Sequence, residues 1–101
     1  MKNMEEQNTD RLFEAILHIK DIDECRRFFE DLCTIQEIRS MAQRVEVALM
    51  LRQKLTYQEI AQKTGASTAT ISRVNRCLMY GAEGYKKVLD RVAEESENSD
   101  E

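Results

Sequence analysis

TYQEIAQKTGASTATISRVNRCLM, residues 56–79, is the stretch whose reading decides the fold of this chain. Thr56 and Glu59 stand at the spacing of a capping box. In that arrangement the Thr hydroxyl accepts a first-turn N–H while the Glu carboxylate reaches back to the cap. A short helix is predicted to follow, with Ile60 and Ala61 on its inner face. Gly65 closes it, because a helix C-terminus is commonly followed by a residue with positive φ, which glycine adopts without steric cost. Ser67 then caps a second helix that carries Ile71, Val74 and Leu78 inward and stops at Gly81.

Two short helices joined by a glycine-containing turn form the helix-turn-helix unit, whose second helix enters the DNA major groove. Ala61 is small where the two axes approach, Gly65 follows at the turn, and Ile71 plugs the angle between the helices. Ile60 and Val74 supply the remaining inward contacts. Thr64 departs from the pattern, because an apolar residue is usual at that position. A helical hairpin that only builds a core is the competing reading; the capping signals and the basic surroundings favour the DNA-binding one.

On the predicted recognition helix, 68–79, the face opposite the inward stripe holds Ala69, Ser72, Arg73 and Arg76 and no acid. Arg73 and Arg76 can fork onto guanine or clamp phosphate, while Thr68, Ala69 and Ser72 offer a short hydroxyl or a methyl to thymine. Ser67, Thr68 and Thr70 flank the N-terminal end, where free N–H groups and the helix dipole favour phosphate or a base-edge acceptor. Short side chains imply that part of the readout is carried by water or DNA shape. Gln58, Gln62 and Lys63 on the preceding helix are candidates for backbone positioning.

Upstream, Thr34 and Glu37 form a second capping box opening a long helix. Ile38, Met41, Ala42, Val45, Ala48 and Leu49 keep the helical period, while Val47, Met50 and Leu51 widen the apolar surface. A helix apolar on more than one side is buried on more than one side, so this is expected to be the central helix. Before it, Asp21 or Asp23 can cap an amphipathic helix with Cys25, Phe28, Phe29 and Leu32 on one face. Thr9 or Asp10 can cap another with Leu12, Phe13, Ile16 and Leu17. Downstream, Tyr85, Val88, Leu89 and Val92 mark a last helix. The organisation expected is a flexible stretch over 1–8, one helical domain over 9–93, and an acidic disordered tail over 94–101, whose composition buries too little apolar area to order itself.

The chain has 101 residues, which suits one domain. It has no Pro, three Gly and no Trp, so turn-rich sandwiches and barrels are excluded and an aliphatic, all-α core of about six helices is expected. The formal charge of −4 hides a pattern: residues 1–33 sum to −4, residues 34–91 to +5 and residues 92–101 to −5. A basic middle bracketed by acidic ends fits a nucleic-acid surface. Cys25, Cys33 and Cys77 are odd in number and widely spaced, and His18 is alone, so no metal set forms and buried free thiols are expected. No nucleophile–base pair or paired acids in a cleft can be assembled, which argues against an enzyme. With no apolar targeting segment or membrane span, a cytoplasmic location is expected.

From about Thr34 to Val92 the sequence resembles the tryptophan-repressor family, most closely its YerC/YecD-type branch. The resemblance rests on Arg44-Val45, on Leu55-Thr56 with Glu59, on Gly65-Ala66 and on Ala69-Thr70-Ile71-Ser72-Arg73. It implies an intertwined homodimer in which the N-terminal helices of each subunit wrap around the other, giving the two N-terminal stripes a partner. It also implies candidate ligand residues. Arg44 and Arg73 match the two arginines that sandwich the indole in tryptophan-binding members, and Thr34 and Thr70 match threonines that help hold it. Val74, however, replaces a glycine that leaves space for the indole edge, and Cys77 replaces a serine near the ligand's amino group. A buried aromatic ligand tolerates little added volume, so no cofactor is expected and tryptophan is disfavoured.

The function expected is therefore a homodimeric, sequence-specific regulator of transcription, a repressor by resemblance, that binds double-stranded DNA at a roughly palindromic operator. Two alternatives remain at this level: a helix-turn-helix scaffold turned to protein interaction, with the acidic tail masking the basic face, or a regulator with a different small-molecule corepressor.

Overall fold

A computed structural model describes residues 1–99 and contains six helices and no strand among them: α1 (Met4–Leu17), α2 (Ile22–Leu32), α3 (Ile35–Arg52), α4 (Tyr57–Thr64), α5 (Thr68–Tyr80) and α6 (Gly84–Ser99). The all-α expectation therefore holds. The chain divides into two compact units, Met1–Ile38 and a second from Arg39 onward.

In the N-terminal unit α1 starts at Met4, ahead of the expected caps at Thr9 and Asp10. Asn3 is the cap instead: its side chain accepts from the Glu6 N–H at 2.8 Å, and the Asn3 N–H donates to the Glu6 carboxylate at 3.3 Å. Thr9 lies inside the helix and donates its hydroxyl to the Glu5 carbonyl at 2.9 Å, and Lys2 pairs with Asp10. Residues 4–8 of the stretch expected to be flexible thus belong to a helix. Asp21 caps α2 by accepting from the Glu24 N–H at 2.8 Å, and Phe28 and Phe29 meet edge to face at 5.8 Å. Thr34 and Glu37 form the expected capping box of α3, with bonds of 2.8 and 3.1 Å. The backbone N–H and hydroxyl of Thr34 hold the Glu37 carboxyl below the ordinary carboxylate range. No residue of this unit is fully buried within the single chain, and Phe13, Leu17, Ile22, Leu32 and Ile35 are exposed.

The second unit holds the core. Val47 and Ala48 of α3, Ile60 of α4, Ala66 of the turn, Ile71 and Val74 of α5 and Leu89 of α6 are buried together. Leu55, Ala61, Leu78 and Tyr85 pack against them. The central-helix role of α3 is thus seen in Val47 and Ala48, whereas Val45 on another side stays exposed in the single chain. Asp90 of α6 pairs with Arg52 of α3 and with Lys86 at 3.3 Å. Hydrogen bonds from Arg52, then Lys86, lower the Asp90 carboxyl's pKa.

Two further expectations are corrected here. Helix α6 runs on to Ser99, so residues 94–99 of the stretch expected to be a disordered tail are helical; Asp100 and Glu101 lie outside the described residues. Helix hydrogen bonds are local, and an Ala-Glu-Glu run with no Gly or Pro continues a helix without needing a core. The thiols are free, as expected, but not buried: Cys25 and Cys33 are half-buried and Cys77 is exposed. Cys77 sits beside the inward stripe of α5 rather than on it, one residue short of the half-buried Leu78.

Candidate nucleic-acid interface

The turn between α4 and α5 is built from the signals in residues 56–67. Thr56 accepts from the Glu59 N–H at 3.1 Å and the Glu59 carboxylate returns to the Thr56 N–H, which starts α4. Gly65 ends it at φ 73°, in the left-handed region, with its N–H on the Ala61 carbonyl at 2.9 Å. A Cβ there would meet nothing within 4 Å, so the demand for glycine is conformational rather than steric. We expect Gly65→Ala to cost about 1–2 kcal/mol, the left-handed penalty of an L-residue. Chemical denaturation of the two proteins measures it, and an unchanged midpoint would contradict this account of the turn. Ser67 then caps α5, accepting from the Thr70 N–H at 3.1 Å.

With Ile71 and Val74 fully buried, the opposite face of α5 is fixed. Thr68, Ala69, Arg73 and Arg76 are exposed on it, and Ser72 is half-exposed at its edge. Arg73 and Arg76 form no ion pair or hydrogen bond among the described residues. On α4, Gln58, Gln62 and Lys63 are likewise exposed, and Ser67 lies at the turn. The structure therefore brings the ten candidate DNA-contacting residues onto α4, the turn and α5 of one unit. Thr70 is the least available of them, being half-buried with its hydroxyl 3.1 Å from that of Ser67.

The candidate ligand residues are differently placed. Thr34 belongs to the N-terminal unit, where it caps α3. Arg44 donates to the Ser40 hydroxyl at 3.2 Å, Thr70 is engaged by Ser67, and Arg73 lies on the exposed face. An open apolar groove of about 490 Å³ lies between α3, α5 and α6, lined by Val45, Cys77, Gly81, Ala82, Tyr85 and Val88 among others, and none of Arg44, Thr70 and Arg73 lines it. Its walls include Val45 and Val88, which are 40% and 55% exposed. The expected inward stripe of α6 is thus divided: Leu89 is buried, Tyr85 is half-buried, and Val88 and Val92 face outward.

Residues 7–93 match the family model described as Trp repressor protein. The chain belongs to the Trp repressor family. Membership of this regulator family spans both units and the whole helix-turn-helix. The protein YerC of Bacillus subtilis (strain 168) is 63% identical over 91 residues, covering 89% of this chain and 88% of YerC. Among solved structures, a TrpR-like protein from Eubacterium eligens ATCC 27750 superposes with a TM-score of 0.83 at 61% identity, over 86% of this chain and 90% of that one. A Staphylococcus aureus structure superposes equally well, TM-score 0.83, at 47% identity over 92% and 96% of the two chains. Among the described residues no helix is long and apolar enough to cross a membrane, and no cluster of His, Cys, Asp and Glu could hold a metal ion.

Two features of this family member escaped the sequence pattern. One is the apolar groove, whose walls come from three helices. The other is a set of polar contacts at the α4–α5 turn, in which Gln43 of α3 donates to the Thr64 carbonyl at 3.1 Å.

Proposed function

We propose that this Trp repressor family member is a transcriptional regulator, acting as a repressor, that binds a specific double-stranded DNA sequence as a homodimer through α4 and α5. The observation that carries the reading is the face of α5: two arginines with no ion pair or hydrogen bond among the described residues, flanked by short hydroxyl side chains and backed by a buried Ile71–Val74 stripe. An arginine pair left unneutralised on a helix-turn-helix is arranged to meet phosphates and base edges.

Support for the homodimer comes from unburied apolar surface. The N-terminal unit exposes Phe13, Leu17, Ile22 and Leu32 and buries nothing completely, and the second unit carries the open apolar groove. Apolar surface of this extent favours a covering partner, and a twofold pair of recognition helices reads two half-sites. Selection of bound duplexes from a random pool should return an inverted repeat with half-sites about 10 bp apart, centre to centre. Recovery of a single asymmetric site, or of no enriched sequence, would overturn the dimeric, sequence-specific reading.

Tryptophan is not the corepressor in this reading. Val74 is 1% exposed and belongs to the core with Ile60 and Ile71, so its isopropyl group is committed to packing. Titration calorimetry with L-tryptophan should show no saturable heat at micromolar ligand, whereas clear micromolar binding would show that Val74 leaves the indole room.

A further inference from the structure

Thr64 is the one position at which the helix-turn-helix departs from its pattern, and the turn shows what the departure does. The Thr64 hydroxyl donates to the Ile60 carbonyl at 2.7 Å and accepts from the Ala66 N–H at 3.1 Å. The Thr64 carbonyl, at the end of α4 where helix carbonyls lose their intrahelical partners, takes the side-chain amide of Gln43 at 3.1 Å. Ala66 is only 5% exposed, so its N–H has little access to water and needs a partner within the protein. The Thr64 side chain supplies that partner. An apolar residue at 64 would leave the Ala66 N–H without it.

These bonds form a chain running from α3 through Gln43 to the end of α4, across Gly65 to Ala66, and from there to Ser67, the cap of α5. Gln43 and Thr64 are half-buried and Ala66 is buried, whereas Gly65 and the cap Ser67 are exposed. We propose that Gln43 and Thr64 are positioning residues for DNA binding: they clasp the turn to the central helix and so set the angle at which α5 presents Arg73 and Arg76. The inference rests on the DNA-binding reading for its functional consequence, while the clasp itself is a property of the turn.

The turn half of the clasp, the hydroxyl bonds to Ile60 and Ala66, is removed with little change of shape by Thr64→Val, which keeps the volume and loses the hydroxyl, and restored by Thr64→Ser. Gln43→Met removes the amide from the other end. Two readouts on the full-length protein separate the possibilities. In amide hydrogen exchange, Thr64→Val should speed exchange at Ala66 by tenfold or more while the Ile71 and Val74 amides keep their protection, and Thr64→Ser should restore the wild-type pattern. In duplex binding, at a temperature where circular dichroism shows every variant fully helical, Thr64→Val and Gln43→Met should each weaken affinity about tenfold, and Thr64→Ser should rescue it.

Unchanged exchange at Ala66 in Thr64→Val would overturn the clasp. A loss of affinity that follows a general loss of protection across α4 and α5, and that Thr64→Ser fails to rescue, would overturn the positioning role in favour of plain stability. If the wild-type protein binds no duplex, the DNA-binding reading and the positioning role both fail, and the Ala66 exchange still decides separately whether the clasp exists.

Discussion

Replacing Arg73 and Arg76 together by alanine is expected to abolish specific duplex binding while leaving the fold intact. Both side chains are exposed and neither contributes an ion pair or hydrogen bond among the described residues, so their removal takes nothing from the core. The proposed homodimer would lose four arginines. At the lower end of about 1 kcal/mol for each good base contact, four lost contacts weaken affinity about a thousandfold. If instead each arginine neutralises one phosphate, the log–log salt slope becomes shallower by about 3.6. Fluorescence anisotropy over a salt series distinguishes these two roles, and circular dichroism confirms that the helices remain. Wild-type affinity in the double variant would remove the recognition face from the account.

Ile71→Ala is expected to have the opposite profile, a large loss of stability that carries DNA binding with it. Ile71 is completely buried and sits in the cluster formed with Val47, Ala48, Ile60 and Val74. Truncation of such a side chain removes its burial energy and leaves a cavity, together about 2–5 kcal/mol. A domain of this size has about 5–15 kcal/mol in total and moves its thermal midpoint by ~4–8 °C per kcal/mol, so a fall of at least ~8 °C is expected. Ile71→Val, which loses only one methylene, should cost about 0.5–1.5 kcal/mol and keep DNA binding. Equal stability of Ile71→Ala and wild type would mean that the angle between α4 and α5 is not filled as described.

The contrast between these two substitutions follows from features that local sequence carries well. Thr34-x-x-Glu37, Thr56-x-x-Glu59 and Ser67 act as caps because capping is decided within one helical turn. Ile60, Ile71 and Val74 are buried because a two-helix motif leaves only one inward stripe per helix. Asn3-x-x-Glu6 carries the same capping signal, but it precedes a polar turn, and the nearer candidates beside the apolar run, Thr9 and Asp10, drew the helix start too late. At the other end, an acidic segment that cannot build a core can still be helical. Helix α6 continues to Ser99 on backbone hydrogen bonds and propensity, neither of which needs a core.

What local pattern could not supply is contact at a distance. Gln43 and Thr64 are 21 residues apart, and nothing in either neighbourhood says that one amide meets the other's carbonyl. The groove beside Cys77 has the same origin, since Val45, Cys77 and Val88 come from three helices. The exposed thiol follows as well: Cys77 is next to the apolar stripe in the helical wheel, and only the packed structure shows that it is exposed.

The salt dependence of duplex binding by the full-length protein tests the central claim most directly. An interface that works through the basic face of α5 and the flanking Lys63 releases counterions in proportion to the phosphates it neutralises, about 0.9 in the log–log slope for each on B-DNA. The account predicts tight binding to an inverted-repeat duplex that weakens steeply and linearly on logarithmic axes as salt is raised. A flat response, or no binding to duplex at low salt, would contradict it.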